Sequence, residues 1–477
     1  MAQTLERKLF LGPRLRRLRR DLGLTQTRMA EDLGVSPSYL NYLERNQRPV
    51  TAQVLLRLAE AYDIDIRNLS SDQEAADARD LSEVFADPLF RDLSMPRHEV
   101  AEVAENAPGV ADAIVRLYRA YADRRRLAEL GAAPRAEEGG EALSLTPSDW
   151  VRDYIQAQRN FFPELDEVGE ALAAELKVEP QGFAIAGRAR LAELHGVQVR
   201  VVPLEVLPDS VRRYDHHRRR LMLSELLAEP GRAFAIAYQL ALVEHDVRLT
   251  AMVERAAPPD APSRRLLKVS LVNYLAAATM MPYEAFRDAC ERAGHDIELI
   301  GARFGASFEQ VCHRLTTLSR PASRGVPFFM LRVDSAGNIS KRFAGTSFPF
   351  SRFGGSCPRW RVHEAFRSPG RVITQIVETP DGARYFTLAR TAPRVTGPYA
   401  EEDAGLAIGL GCELKYAPRL VYSRGLDLAN PVVTEIGPAC RVCERPACPQ
   451  RSAEPLGRTL MVDDFTKSIS PYPFASV

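Results

Sequence analysis

A multidomain α+β fold is predicted for this 477-residue chain. It comprises an all-α five-helix module, a mostly helical middle domain and a mixed α+β C-terminal domain. Three observations predict it. Apolar residues recur at helical spacing through the first third, for example Leu55, Leu58, Ala59 and Tyr62. Strand-like alternation becomes common only after Pro321. Between these regions, Gly131, Pro134, Gly139, Gly140 and Pro147 form a breaker-rich linker. The length suits about three domains, with boundaries expected at 8–70, 71–147, 148–320 and 321–477.

Taken in order, Leu15, Leu18 and Leu22 stripe a first helix that also carries Arg14, Arg16, Arg17, Arg19 and Arg20. Residues 25–45 read as two short helices joined by a tight turn. Thr25 can cap the first of them, and Met29, Ala30 and Leu33 share its buried face. Gly34 ends that helix, Ser36 caps the next, and Pro37 sits where a missing N–H costs nothing. This is the pattern of a helix-turn-helix, whose second helix enters the major groove of DNA. The first fifty residues hold ten Arg or Lys against five Asp or Glu, a local excess suited to phosphate attraction. Residues 71–120 reverse the sign, with eleven acids against five bases. There Ile114, Leu117, Tyr118 and Tyr121 stripe a spacer or dimer helix.

On Leu24-Thr25-Gln26, Leu33-Gly34-Val35-Ser36 and Leu43-Glu44-Arg45 the module resembles the Cro/C1 (Xre) helix-turn-helix family. That resemblance implies that Gln26 touches a phosphate or base edge. It also implies that Ser36, Ser38, Tyr39 and Tyr42 face the groove floor, with Arg45 following them and Arg48 on the backbone. Phosphate contacts position such a module and base contacts specify it.

In the middle region, residues 195–202 alternate like a strand, 218–224 can pair with it, and 232–242 form the next helix. This order resembles the ImmA/IrrE metallopeptidase domain, in which that helix carries His-Glu-x-x-His to bind zinc and activate water. The corresponding residues here are Tyr238, Gln239 and Leu242. An amide is no general base and a leucine no zinc ligand, so no catalytic residue is expected. His245 and Asp246 lie off the motif's spacing. An inactive cleft suits small-molecule binding. Arg212, Arg213, His216, His217, Arg218, Arg219 and Arg220 crowd nearby and suit a phosphorylated ligand. Arg212, Arg213, Arg218 and Tyr238 are the candidate ligand-binding set.

In the C-terminal region, residues 328–333 and 339–343 read as one hairpin, and 371–377 with 383–388 as a second. Cys440, Cys443 and Cys448 follow at x2 and x4 spacing and can converge on one metal centre, zinc or iron–sulfur. Both commonly take a fourth ligand. Cys412 needs the shorter closing loop and is favoured slightly over Cys357. Seven cysteines in a chain of this length form no dense disulfide framework.

The Xre-type module, the degenerate peptidase-like middle, Cys357–Phe366 and Cys440–Arg445 together resemble the short-chain fatty acyl-CoA transcriptional regulators. The resemblance implies a regulator of propionate- or acetate-type acyl-CoA metabolism, with an acyl-CoA as effector and a 4Fe–4S cluster rather than zinc. A homodimer on double-stranded DNA is the expected assembly. A redox or iron–sulfur sensor is an alternative reading, and a DNA-binding metallopeptidase is a weaker one. With no apolar run of about 18 residues and no apolar signal core, a cytoplasmic, membrane-free location is expected.

Overall fold

The computed structural model describes residues 12–21, 24–45, 47–62, 72–93, 95–129, 146–177, 182–345, 348, 350, 356–392, 405–441, 443–455 and 458–474. The chain divides into two compact units, Met1–Ser144 with Leu456–Thr459 and Leu145–Pro455 with Leu460–Val477.

The first unit opens with α1 (Gly12–Asp21), α2 (Gln26–Asp32), α3 (Pro37–Glu44) and α4 (Ala52–Tyr62). Their local signals act as the sequence implies. Thr25 Oγ1 accepts from the Arg28 amide and Ser36 Oγ from the Tyr39 amide, each satisfying a donor that the helix leaves free. Gly34 turns the chain at φ +61°, and Arg57 donates to the Leu33 and Gly34 carbonyls at 2.8 and 3.2 Å. Leu15, Met29, Ala30, Leu33, Leu40, Leu43, Val54 and Leu58 form the module's core. The last stretch of the five-helix reading, residues 63–69, lies outside the described residues, as does nearly all of the 131–147 linker.

Helices α5 (Asp72–Phe85), α6 (Arg97–Asn106) and α7 (Pro108–Glu129) pack on a separate small core of Leu81, Val84, Val100, Ala104, Ala111 and Val115. The stripe expected on α7 splits in two. Ile114 and Tyr118 pack on this core, whereas Val110, Leu117 and Tyr121 share an exposed face, Leu117 at 71%.

The second unit begins with α8 (Pro147–Ala157), α9 (Pro163–Leu176) and α10 (Phe183–His195). Strands β1 (Gln198–Val202), β2 (Arg212–Asp215) and β3 (Arg220–Ser224) follow in the sheet order β1-β3-β2. Strands β1 and β3 run parallel, and β2 is antiparallel to β3. Helices α11 (Glu229–Ala256), α12 (Ala261–Met280), α13 (Tyr283–Arg292), α14 (Ile297–Phe304) and α15 (Phe308–Leu315) complete the helical part. A fully buried pair, Arg314 to Asp166 at 2.6 Å, ties α15 to α9, and Tyr274 donates to the same carboxylate at 2.8 Å.

A six-stranded sheet closes the unit, built from β4 (Phe329–Asp334), β5 (Ile339–Ala344), β6 (Ile373–Glu378), β7 (Arg384–Ala392), β8 (Leu406–Glu413) and β9 (Thr434–Glu435). Its order is β5-β4-β8-β7-β6-β9, antiparallel except for β9. Side chains alternate between its faces. Met330, Ile376, Phe386, Leu388, Ile408, Leu410 and Cys412 join the core of the helices, whereas Phe329, Leu331, Val333, Val377, Tyr385 and Ala407 join a second core with Cys357 and Trp360. The helical core therefore runs across the boundary expected at 320/321. Among the described residues no helix is long and apolar enough to cross a membrane.

Candidate functional site

The helix-turn-helix exposes Ser38, Tyr42, Arg45 and Arg48. Three other residues expected at DNA are already engaged. The Ser36 hydroxyl caps α3, Tyr39 packs partly on the module's core, and Gln26 donates to Glu44 at 3.1 Å and to Asn41 at 3.4 Å. Glu44 is buried and gripped by Arg19, Nε to Oε1 at 2.6 Å and Nη2 to Oε2 at 3.1 Å. One carboxylate thus ties α1, the start of α2 and the end of α3 together, which sets the angle of the exposed helix. Sequence reading counted Arg19 among the cations suited to phosphate attraction and gave Glu44 only a place in the family motif, because a contact across 25 positions leaves no local signal.

In the second unit, Tyr238 and Gln239 are buried on α11 and Leu242 is half-buried. Arg212 lies over the Tyr238 ring, its guanidinium carbon 3.6 Å from the centroid. Burial lowers the pKa of that guanidinium, while Tyr238 counteracts the shift. A stacked cation therefore covers the position where the resemblance would place the first zinc ligand. Nearly two turns further along α11, Arg190 holds Glu244 through a two-pronged pair at 2.7 and 2.8 Å, and His195 Nε2 lies 2.9 Å from it. Burial pushes the Glu244 carboxyl up, but the Arg190 and His195 hydrogen bonds prevail and hold it below its ordinary value. The alternation of β2 puts Arg213 on the opposite face from Arg212, and Arg213, Arg218, Arg219 and Arg220 are exposed. The expected ligand set is therefore split: Arg212 and Tyr238 serve each other, and Arg213 and Arg218 stand in solvent.

Cys440, Cys443 and Cys448 line one small cavity together with Cys357, Pro358, Gly437, Ala439 and Arg451. The fourth cysteine lining this cavity is Cys357. Cys412, the fourth ligand favoured from the sequence, lies instead on the helix-facing side of β8, in the core with Phe386 and Leu410. Strand alternation directs it away from the cavity face, and burial pushes its thiol up to about 12. Burial also raises the Cys357 and Cys443 thiols, with Arg451 and Arg445 opposing the rise at Cys443. The Ser452 amide and hydroxyl lie 3.5 and 3.3 Å from Cys440 Sγ. A Cβ on Gly437 would come within 2.5 Å of Cys443 Sγ, so only glycine allows this approach. Four thiols with N–H and O–H donors beside one of them fit a thiophilic centre. Among the described residues, no three His, Cys, Asp or Glu side chains stand grouped at metal-binding geometry.

Three family models match consecutive parts of the chain. A helix-turn-helix matches residues 15–69, an IrrE N-terminal-like domain 192–316, and the C-terminal domain of short-chain fatty acyl coenzyme A regulators 317–472. HTH-type transcriptional regulator RamB of Mycobacterium tuberculosis is 41% identical over 471 residues, covering 98% of each chain. The chain belongs to the short-chain fatty acyl coenzyme A regulator family. Two further relatives span the regulator with similar completeness. The propionyl-CoA carboxylase regulator of Cereibacter sphaeroides is 41% identical over 468 residues, 98% of each chain. PrpR of Mycobacterium tuberculosis is 38% identical over 475 residues, 99% of this chain and 97% of its own. A solved structure described as a Mycobacterium tuberculosis transcriptional regulator superposes with a TM-score of 0.66 at 39% identity. It covers 69% of this chain and 99% of its own.

Proposed function

We propose that this chain is a DNA-binding transcriptional regulator of short-chain acyl-CoA metabolism, and that an acyl-CoA bound to the second unit changes its affinity for an operator. The observation that carries this reading is the modified α11. Its former catalytic positions hold Tyr238, Gln239 and Leu242, with Arg212 stacked on the first. A peptidase-like frame without a zinc-binding or base residue at those positions suits recognition rather than hydrolysis. The exposed cations of the β2–β3 turn suit the phosphates of coenzyme A. The names of the relatives point the same way.

Ser38, Tyr42 and Arg45 would face the groove and Arg48 the backbone, with Gln26 acting through Glu44 and Asn41. The exposed α7 face of Val110, Leu117 and Tyr121 supports a homodimer, which matches two half-sites one helical turn apart. Cys357, Cys440, Cys443 and Cys448 would hold a 4Fe–4S cluster, which would supply a structural anchor sensitive to oxidation. That cysteine set also favours a second reading, in which oxidation itself is the signal. Operator affinity measured by fluorescence anisotropy, with propionyl-CoA, acetyl-CoA or free coenzyme A added, separates the two. A typical regulatory coupling is about 5- to 150-fold. Insensitivity to all three compounds, with sensitivity to oxidant, would replace the acyl-CoA reading by the redox one.

A further inference from the structure

We propose that Arg451 is the positioning residue and counter-cation of the cysteine centre. This rests on the reading that Cys357, Cys440, Cys443 and Cys448 hold a thiolate-ligated metal centre.

Arg451 is only 3% exposed and lines the same cavity as the four cysteines. Its guanidinium donates to three main-chain carbonyls of the cysteine loop. These are Cys440 at 2.6 Å, Cys443 at 2.7 Å and Arg445 at 2.9 Å. One planar fork therefore grips two of the four cysteines directly, along with the segment leading to the third. Phe474 holds the fork in place from another side, with the guanidinium carbon 4.9 Å from its ring centroid. Phe474 is itself buried and bridged to Leu460.

The charge of Arg451 is the second observation. Arg314, also deeply buried, has Asp166 as its anion at 2.6 Å. Arg451 has no carboxylate partner among the described residues, and its Nε is buried without an acceptor. A buried, unpaired cation is strongly disfavoured, and carbonyl dipoles offset only part of that cost. Among the described residues that line this cavity, the groups able to carry negative charge are the cysteine sulfurs. Four thiolates outweigh the double positive charge of zinc or of an oxidised 4Fe–4S core, so the loaded centre is a net anion. Arg451 is placed to balance it and, through the carbonyls, to hold its ligands. A purely structural arginine would need only the carbonyls.

The test uses the full chain, purified anaerobically and reconstituted with ferrous iron and sulfide, beside Arg451→Lys and Arg451→Gln. Arg451→Gln should release iron to a chelator about 10- to 100-fold faster, the usual cost of losing a partner behind a ligand. Its midpoint potential should become more negative, because removing a cation disfavours the added electron. Arg451→Lys should keep a potential near that of the unmodified chain but still release iron faster, because the charge stays and the fork is lost. Equal potentials and release rates in all three proteins would overturn the proposal. Arg451→Lys carries the test if Arg451→Gln does not fold. If the unmodified chain takes up neither iron nor zinc, the metal reading itself fails, a result distinct from the loss of Arg451's role.

Discussion

Replacing Arg218 by glutamate should weaken coenzyme A binding and leave the fold intact, whereas the same change at Arg212 should damage the fold. Arg212 sits 3.6 Å from the Tyr238 centroid on a partly buried face. A desolvated cation–π contact is worth about 2 kcal/mol, and glutamate would set a carboxylate against the negative face of the ring. At about 2–4 °C per kcal/mol for a large domain, the melting temperature should fall by roughly 4–8 °C. Arg218 is exposed, and its amide donates to Asp215 at 3.0 Å. Its reversal should leave the melting temperature unchanged. If its guanidinium meets a phosphate, losing one charge-assisted hydrogen bond costs about 1.5–3 kcal/mol, a Kd increase of about 10- to 150-fold. Calorimetric titration with acetyl-CoA and free coenzyme A, paired with thermal melts, reads both effects. The affinity difference should shrink at high salt because the site is exposed. Unchanged coenzyme A affinity in Arg218→Glu at low salt would refute the phosphate role of this turn, and an unchanged melt in Arg212→Glu would refute the stacking argument.

At the DNA, Ser38→Ala or Tyr42→Ala should cost about 1–3 kcal/mol on the cognate operator only, whereas Arg48→Ala should weaken all sequences alike and reduce the salt slope by about one. Anisotropy titrations on cognate and scrambled duplexes check this, and equal losses on both duplexes for Ser38 and Tyr42 would count against base readout. Glu44→Ala should destabilise the first unit by about 1.5–3 kcal/mol, since it leaves the Arg19 fork and Gln26 without their shared acceptor; a thermal melt indistinguishable from the unmodified chain would contradict the network. Cys357→Ser should abolish metal uptake measured by elemental analysis, and Cys412→Ser should preserve it; the reverse outcome would restore Cys412 to the ligand set. His313 is half-buried with its Nε2 shielded from solvent, and desolvation pushes its pKa from 6.5 down to about 3. The unfolded chain therefore binds this proton first on acidification, so the stability is complete above pH 6.5 and declines as the pH falls toward 3. His313→Leu should remove about 1.4 kcal/mol per pH unit from the slope of the acid limb in urea melts, and an unchanged slope would contradict the buried neutral imidazole.

Much of the fold was legible in the residues themselves. Thr25, Gly34, Ser36 and Pro37 mark helix ends through groups only two or three positions away. The turn at 334–338 and the one at 379–382 lie between strands whose alternation is visible in the sequence. That Tyr238, Gln239 and Leu242 stand where the resemblance places two zinc ligands and a base is likewise a matter of residue identity. Strand β8 was missed, and with it the direction of Cys412: the loop-length argument measured separation along the chain, whereas the side of the sheet decides which thiols can meet. Tertiary packing alone assigned Arg212 to Tyr238, Gln26 and Arg19 to Glu44, and Arg451 to the carbonyls of Cys440 and Cys443. Caps, turns and periodicity are set by short-range sterics and hydrogen bonds, so the sequence by itself determined them. Which cation meets which ring, carboxylate or carbonyl depends on how distant elements pack, so only the tertiary structure could decide it.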